Sequence, residues 1–299
     1  MKVVFHFDGS EALAAKVKPL GVEMCPESDV ARFSALLPQV EVLWHVLKPV
    51  SAAMIDAAPK LKLIQKIGSG VNTIDLEAAK RRGIAVCNLP GTNSRAVAEM
   101  TLLLMLACLR RLPQLSAAVH AGRWLDAWKL QDHFGELGGR SVGLLGYGEV
   151  PQILHPILEA LGAKVLYWSR SKRNAEFATL VSTSDVLSLH LPLTPQTEKL
   201  IDPRRMKRGA ILVNTARGGL VDEAALLESL RSGHLAAAGL DVYAAEPLPA
   251  AHPLLAMHNV VCAPHLAWLT QETLERSITA ATENVRRLRE GQPLLHRVA

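Results

Sequence analysis

The sequence predicts an α/β fold made of two doubly wound parallel-sheet domains, one inserted into the other. Three observations support this fold class: apolar runs alternate with helical segments in the first hundred residues, a second alternating series begins at Gly139, and a glycine turn follows the first strand of that series. Strands and helices that alternate in this way form parallel sheets covered by helices on both faces. The chain has 299 residues, which is enough for two domains.

Composition is that of an ordinary globular protein, with 49% hydrophobic and 20% charged residues. The longest apolar run, residues 102–109, is far too short to cross a bilayer, and the first residues lack a signal-peptide layout, so no membrane partner is predicted. The four cysteines are scattered, and we expect reduced core residues in a cytoplasmic protein without a metal site. The net charge of +5 falls on predicted helix surfaces, and no nucleic-acid partner is expected.

The first series contains four apolar runs of strand length, at Lys2–Phe7, Val40–Val46, Leu61–Ile67 and Ile84–Cys87. Helices are predicted at Ser51–Ala58 and at Leu76–Arg82, where Gly83 is a typical C-terminal stop. A longer helix from Ser94 to about residue 112 is apolar nearly all round. We therefore expect it to be buried in a core, between domains or in a dimer interface.

The second series contains six predicted strands, at Ser141–Leu145, Lys164–Trp168, Asp185–Leu191, Ala210–Asn214, Ala237–Val242 and Val260–Cys262. A helix at Asp222–Ser232 lies between two of them. The last predicted helix, Thr270–Glu290, is expected to pack back on the first domain. These patterns place one domain at residues 1–93 plus 270–299 and the inserted domain at residues 94–269.

The glycine turn Gly146-Tyr147-Gly148 begins a dinucleotide-binding fingerprint, G-x-G-x-x-G, between a strand and a helix. Gly146 permits a tight turn, and Gly148 lets the backbone approach a pyrophosphate. The N-terminal N–H groups of the following helix then point at that anion. Two residues depart from the pattern, because Pro151 replaces the third glycine and Glu149 adds a carboxylate beside the expected phosphates.

The second strand of the inserted domain ends at Ser169 and Arg170, which indicates the choice of nucleotide. An NAD-preferring protein places an acidic residue here to hold the ribose hydroxyls, whereas an arginine suits a 2′-phosphate. Together with Lys172 and Arg173, Arg170 favours NADP over NAD. The alternative is that these residues form a plain solvated basic loop.

Three segments at predicted strand ends carry the residues best suited to chemistry, at Val213–Gly219, Gly239–Pro247 and Ala263–Trp268. Ligands of doubly wound sheets bind outside the carboxyl ends of the strands. We therefore expect Arg217, Glu246 and His265 to converge near the nicotinamide ring.

With these motifs the chain resembles the D-isomer-specific 2-hydroxyacid dehydrogenase family over nearly its whole length. The motifs that carry the resemblance are Gly68–Asp75, Asn93–Glu99, the glycine turn, His190–Thr194 and the three segments above. The resemblance implies a flavodoxin-like substrate domain with an inserted Rossmann domain. It also implies NAD(P)H-dependent reduction of a small 2-keto acid to the D-2-hydroxy acid by a protein that we expect to be a homodimer.

The resemblance implies a role for each catalytic residue. Arg217 grips the substrate carboxylate and polarises the keto oxygen with its planar guanidinium group. His265 is the proton donor, and Glu246 is the carboxylate that favours its charged form. The amides of Gly70 and Val71 form a second carboxylate site.

Further positions match binding residues of the family. The backbone of Glu149 and Val150 meets the pyrophosphate. Thr215, Ala216 and Asp241 hold the nicotinamide end, and His265 is also expected to contact the cofactor. Trp268 walls the substrate pocket or serves only in packing. His190 is predicted to be structural. His45 lies near the expected substrate cleft, where a structural role is favoured over a functional one.

Other activities fit the sequence less well. A regulated phosphoglycerate dehydrogenase is disfavoured, because no regulatory domain is expected after the catalytic core and the segment His45–Lys48 lacks the arginine that such enzymes use near the substrate phosphate. A formate- or phosphite-type dehydrogenase is also disfavoured, because Ser69 occupies the position where a phosphite enzyme is expected to have a lysine. We therefore favour a small unphosphorylated 2-keto acid such as glyoxylate, hydroxypyruvate or pyruvate. The second hypothesis is a nucleotide-sensing, corepressor-like binding protein, which the altered glycine turn alone supports.

Overall fold

The computed structural model describes the backbone of residues 1–299 and the side chains of all residues except 125 and 127. The chain divides into two compact units. The first unit contains Met1–Asn93 and Leu269–Ala299, and the second contains Ser94–Trp268.

The first unit is built on a five-stranded parallel sheet, which consists of β1 (Val3–His6), β2 (Val22–Cys25), β3 (Val42–His45), β4 (Leu63–Lys66) and β5 (Ala85–Cys87). The strand order is β2-β1-β3-β4-β5, which is the flavodoxin-like order. Its helices are α1 (Glu11–Val17), α2 (Val30–Leu36), α3 (Ala52–Asp56), α4 (Leu76–Arg81) and the long α11 (Gln271–Arg289). The predicted fold class is confirmed for this unit.

Strand β2 was missed in the sequence analysis, which predicted four strands where the structure has five. Its four residues read Val-Glu-Met-Cys, and the two in the middle are only partly buried. β2 lies at the edge of the sheet, so it needs no continuous apolar run. The flanking helices α1 and α2 were missed for a different reason: each has only seven residues, and so short a pattern carries little signal.

The second unit is built on a six-stranded parallel sheet, which consists of β6 (Ser141–Leu145), β7 (Lys164–Trp168), β8 (Val186–Leu189), β9 (Ala210–Asn214), β10 (Leu235–Leu240) and β11 (Val260–Cys262). Its helices are α5 (Ser94–Arg110), α6 (Leu112–His120), α7 (Trp124–Trp128), α8 (Glu149–Ala160), α9 (Phe177–Thr183) and α10 (Glu223–Arg231). All six predicted strands are present.

The strand order of this second sheet is β11-β10-β9-β8-β6-β7. Counted within the unit, this is 2-1-3-4-5-6, whereas the usual Rossmann order is 3-2-1-4-5-6. The connection between β7 and β8 contains α9 in place of a further strand. Since β7 and β8 lie on opposite sides of β6, the chain reverses direction at the carboxyl end of β6, which is where doubly wound sheets bind ligands.

Helix α5 is only partly buried within the chain, so the dimer interface among the three expected places of burial stays a prediction. Leu104 and Met105 are buried, and Leu104 packs against the backbone of Gly239 in β10. Leu103 and Leu106 remain 52% and 38% exposed. One face of the helix therefore covers the sheet while the opposite apolar face has no cover in the single chain.

None of the described helices alone combines the length and the apolar composition that a membrane span requires. Only α5 and α6 taken together meet that test, and the pair is bent by 65° at the break between them.

Candidate active site

The glycine turn after β6 has a conformation that only glycine adopts easily. Gly146 has a φ of 97°, and its N–H donates to the carbonyl oxygen of Trp168 at 2.8 Å. A Cβ atom at this position would lie 2.5 Å from the carbonyl oxygen of His190. The ends of β6, β7 and β8 therefore meet at Gly146, and any side chain here would push them apart.

The start of α8 has the features of an anion site. A Cβ atom at Gly148 would meet no atom within 4 Å, so the space above the turn is open. The helix begins at Glu149 with Gly148 as N-cap and no side-chain cap, which leaves the N–H groups of Glu149 and Val150 for a ligand. Pro151 is buried and brings no N–H. The predicted pyrophosphate site would therefore have two helix donors instead of three, and its binding role stays a prediction.

The carboxylate of Glu149, the unexpected acidic residue of the fingerprint, is held by a second helix. The hydroxyl of Ser94, the first residue of α5, donates to Glu149 Oε2 at 2.8 Å. Ser94 is buried, with 7% of its surface exposed. The sequence contains no signal that pairs these two residues, because 55 positions separate them.

The loop after β7 presents basic side chains to solvent. Ser169 closes a tight turn, since its Oγ accepts the N–H of Lys172 at 2.9 Å and donates to the Lys172 carbonyl at 2.8 Å. Arg170 and Lys172 are exposed. Arg173 forms an ion pair with Glu176 at 3.4 Å, which leaves Arg170 and Lys172 better placed for a phosphate.

Asn214 shapes the loop after β9, and its role was missed in the sequence analysis. Its Oδ1 accepts the N–H of Ala216 at 3.0 Å, and its Nδ2 donates to the carbonyl of Arg217 at 2.9 Å. An asparagine at the last position of a buried strand is a recognisable turn signal. Thr215, in the same loop, is tied to Thr101 of α5 by a hydroxyl pair at 2.9 Å.

The Arg217 loop packs directly on the loop after β10. A Cβ atom at Gly218 would lie 1.9 Å from the carbonyl carbon of Tyr243, so only glycine fits. The guanidinium group of Arg217 donates to the carbonyl of Ala216 at 2.5 Å. Burial lowers the pKa of Arg217, and the negative charge of Glu246 opposes that effect.

Glu246 and His265 form a close pair, with 2.6 Å between Oε2 and Nδ1. The other carboxylate oxygen accepts the N–H of Tyr243 at 2.9 Å, which orients the group. Burial alone would raise the pKa of Glu246, but the bonds from His265 and Tyr243 and the charge of Arg217 hold that pKa below its ordinary value. The carboxylate therefore stays ionised beside the imidazole.

Asp241 holds the loop that carries His265. Its buried carboxylate accepts the N–H groups of Leu266 and Ala267, each at 2.9 Å, and its carbonyl accepts the N–H of His265 at 2.8 Å. Burial raises the pKa of Asp241, and the two N–H bonds partly offset this rise. His265 has a φ of 57°, a strained value for a residue other than glycine. The indole N–H of Trp268 donates to the His265 carbonyl at 3.1 Å, so both residues fix this backbone.

The predicted second carboxylate site lies in the first unit. Gly70 and Val71 follow β4 and are partly exposed. The side-chain amide of Asn88 donates to the carbonyl of Ser69 at 2.7 Å, which supports this loop from the end of β5. The binding role of the Gly70 and Val71 amides stays a prediction.

Two further histidines that the sequence singles out, His45 and His190, are both affected by burial. Burial and the neighbouring charge of Lys66 lower the pKa of His45 well below its usual range, so this imidazole is neutral in the first unit. Burial lowers the pKa of His190 to about 4, and its Nε2 lies 3.0 Å from the hydroxyl of Ser188. His190 therefore has the surroundings of a structural histidine, whereas both ring nitrogens of His45 are buried with no hydrogen-bond partner among the described residues.

Glu246→Gln is expected to reduce the turnover number of keto-acid reduction roughly 10- to 100-fold, because an amide orients and supports the His265 imidazole less well than the carboxylate that contacts it at 2.6 Å. Steady-state kinetics measure this loss. Glu223→Gln is the matched control, since Glu223 also pairs with a histidine, His252, at 3.2 Å. Turnover by Glu246→Gln close to that of the native protein would show that Glu246 does not support His265 in the reaction.

Comparison with known proteins gives consistent results. The model of the D-isomer specific 2-hydroxyacid dehydrogenase NAD-binding domain matches residues 102–267. A glyoxylate reductase of Aeropyrum pernix is 37% identical over 94% of this chain and 90% of its own length, and a hydroxypyruvate reductase of Blautia hydrogenotrophica is 31% identical over 89% and 88%.

A solved structure shows the same fold. The D-lactate dehydrogenase of Aquifex aeolicus, complexed with NAD and lactic acid, superimposes with a TM-score of 0.84 at 26% identity, over 97% of this chain and 96% of its own. The predicted family and the need for a nicotinamide cofactor are therefore confirmed. The chain belongs to the D-isomer-specific 2-hydroxyacid dehydrogenase family and is an oxidoreductase.

Proposed function

We propose that this protein reduces a small, unphosphorylated 2-keto acid to the D-2-hydroxy acid, with NADP as the preferred nucleotide. The observation that carries the proposal is the 2.6 Å pair of His265 and Glu246, with the loop of Arg217 packed against the loop of Glu246. The relatives named glyoxylate reductase and hydroxypyruvate reductase support this substrate class.

The 2.6 Å contact supports one source for the proton of the reaction. An ionised carboxylate only accepts hydrogen bonds, so His265 Nδ1 must carry the proton shared with Glu246. The remaining nitrogen, Nε2, then holds the proton that passes to the keto oxygen. The reduced nicotinamide supplies the hydride to the carbonyl carbon. Arg217 holds the substrate carboxylate and stabilises the negative charge that develops on the oxygen.

The preference for NADP rests on the loop after β7. Arg170 and Lys172 are exposed at the end of that strand, where an acidic residue would favour the ribose hydroxyls of NAD. The start of α8 supports a pyrophosphate through the N–H groups of Glu149 and Val150. Thr215, Ala216 and Asp241 are the residues proposed for the nicotinamide end.

The test is a titration of the pure protein with NADPH and NADH, followed by nicotinamide fluorescence, and then assays with glyoxylate, hydroxypyruvate and pyruvate. Failure to bind either nucleotide would contradict the proposed activity. Arg170→Ala should weaken NADPH binding roughly tenfold and leave NADH binding unchanged, because one charged hydrogen bond to a phosphate is lost. Arg205→Ala, which removes another charge of the second unit, is the control.

The nucleotide-sensing alternative is not favoured. Relatives across most of the chain are named as reductases, and the residues of the proton-transfer pair are both present and in contact. A binding protein would need no such pair. Turnover of any of the three keto acids would exclude a purely sensing role.

We also propose a homodimer formed through the exposed apolar side chains of three consecutive helices, α5 to α7. The side chains concerned are Leu103, Leu106, Leu112, Val119, Trp124 and Trp128, each at least 38% exposed. Large apolar side chains grouped in this way are typical of protein interfaces.

The cytoplasm is the proposed location, since the four cysteines are free. Three of them are buried, as expected for core residues, whereas Cys262 is exposed.

Leu103→Lys is expected to convert the dimer into monomers, because a lysine replaces a leucine that would be buried between copies. Sedimentation velocity gives the oligomeric state directly. Leu255→Lys changes an equally exposed leucine elsewhere in the second unit and should leave the dimer intact. A monomeric native protein would contradict the proposal.

A further inference from the structure

The carboxylate of Glu149 lies at the start of α8, where the proposed function also requires the negatively charged pyrophosphate of the dinucleotide. Acidic side chains in the first turn of a helix are stabilised by the helix dipole, and so is a bound phosphate. Glu149 is the first residue of α8, and its own N–H is one of the two free helix donors for a pyrophosphate. The carboxylate and the nucleotide therefore use the same positive end of the helix and repel each other.

The position of this carboxylate is fixed by Ser94. A serine hydroxyl has one proton, and Ser94 directs it to Glu149 Oε2 at 2.8 Å. Hydrogen bonds to an ionised acceptor are about twice as strong as neutral ones. Ser94 is itself buried at the first position of α5, so its hydroxyl is anchored by a rigid helix rather than by a mobile loop.

We infer that Glu149 lowers the affinity for the dinucleotide and that Ser94 is a positioning residue, which limits this loss by holding the Glu149 carboxylate at the start of α5. The inference rests on the proposed function, because it requires a pyrophosphate at the start of α8. Ser94 touches the carboxylate and acts on the nucleotide only through it. The two residues together set how tightly the glycine turn holds its ligand.

The test is a double-mutant cycle in which the dissociation constant of NADPH is measured by fluorescence titration of the full chain. Glu149→Gln should tighten binding about three- to tenfold, the size expected for one unit charge near a solvated anion. Ser94→Ala should weaken binding by a similar factor, because the freed carboxylate can approach the phosphates. In the Glu149→Gln background, Ser94→Ala should change the constant by less than about twofold.

Controls separate this role from a structural one. Glu159→Gln removes a carboxylate near the other end of α8 and should leave the dissociation constant unchanged. Ser94→Thr retains the hydroxyl and should bind like the native protein. The thermal midpoint of each nucleotide-free variant shows whether the fold is intact. The advantage of Glu149→Gln should also shrink at high salt, where the repulsion is screened.

The measured dissociation constants separate failure of this inference from failure of the proposed function. Equal effects of Ser94→Ala with and without Glu149 would overturn the inference, and so would unchanged binding by Glu149→Gln. If the native protein binds NADPH while the two substitutions act independently, only the inference fails. If the native protein binds neither NADPH nor NADH, the proposed function fails first.

Discussion

His265→Gln is expected to lower the turnover number of keto-acid reduction roughly 10²- to 10⁴-fold while the nucleotide still binds. Glutamine keeps a polar side chain of similar length but has no proton that it can transfer near neutral pH. In the proposed reaction Nε2 of His265, whose Nδ1 contacts Glu246 at 2.6 Å, is the acid, so the loss should fall on the chemical step. Steady-state kinetics and nucleotide fluorescence measure the two quantities separately.

The matched control for this substitution is His252→Gln. His252 also contacts a glutamate, Glu223, at 3.2 Å in the second unit, but it lies outside the three segments Val213–Gly219, Gly239–Pro247 and Ala263–Trp268 that carry the candidate residues. Its removal should leave turnover unchanged. Turnover by His265→Gln close to that of the native protein would remove this histidine as the proton donor.

Arg217→Lys is expected to reduce kcat/KM by roughly 100-fold. Lysine keeps the charge but replaces a planar fork, which forms two parallel hydrogen bonds to a carboxylate, with a single compact donor group. One charged hydrogen bond contributes about 1.5–3 kcal/mol, which corresponds to a factor of this size. We expect KM to rise and kcat to fall, since the same side chain binds the carboxylate and stabilises the developing oxyanion.

Arg204→Lys is the control for the arginine substitution. Arg204 is an exposed residue that pairs with Asp202 at 2.9 Å, and its replacement should change neither kinetic constant. Arg217→Lys should also keep the thermal midpoint of the native protein. An unchanged kcat/KM would exclude Arg217 from the substrate site.

Most strands and helices can be predicted from the periodicity of apolar residues, and the elements that were missed have physical reasons. Ten of the strands are apolar runs that are long enough to recognise, whereas β2 is a short edge strand with a half-buried middle. Strand order is set by packing between distant segments, so the order 2-1-3-4-5-6 of the second sheet was not predicted. The apolar composition of α5 was read correctly, but which of its faces is covered depends on the sheet beneath it.

The residue types of the candidate site follow from motifs, but their connections do not. The sequence identifies Arg217, Glu246 and His265 because each stands at the end of a strand. It contains no sign that the carboxylate of Asp241 binds the backbone of the His265 loop, since these contacts span about 25 positions. The hydrogen bond from Ser94 to Glu149 could not be predicted from the sequence either. It shows that the acidic residue of the glycine turn is held by α5.

The contact at Gly218 has a consequence for attempts to redesign this enzyme. The Arg217 loop rests on the Tyr243 peptide with no room for even one methyl group. Any side chain at position 218 would therefore force the Arg217 loop away from the loop that carries Glu246. We expect most substitutions of Gly218 to separate the proposed substrate arginine from the proposed proton-transfer pair. Substitutions that broaden the substrate range are expected to succeed outside this junction.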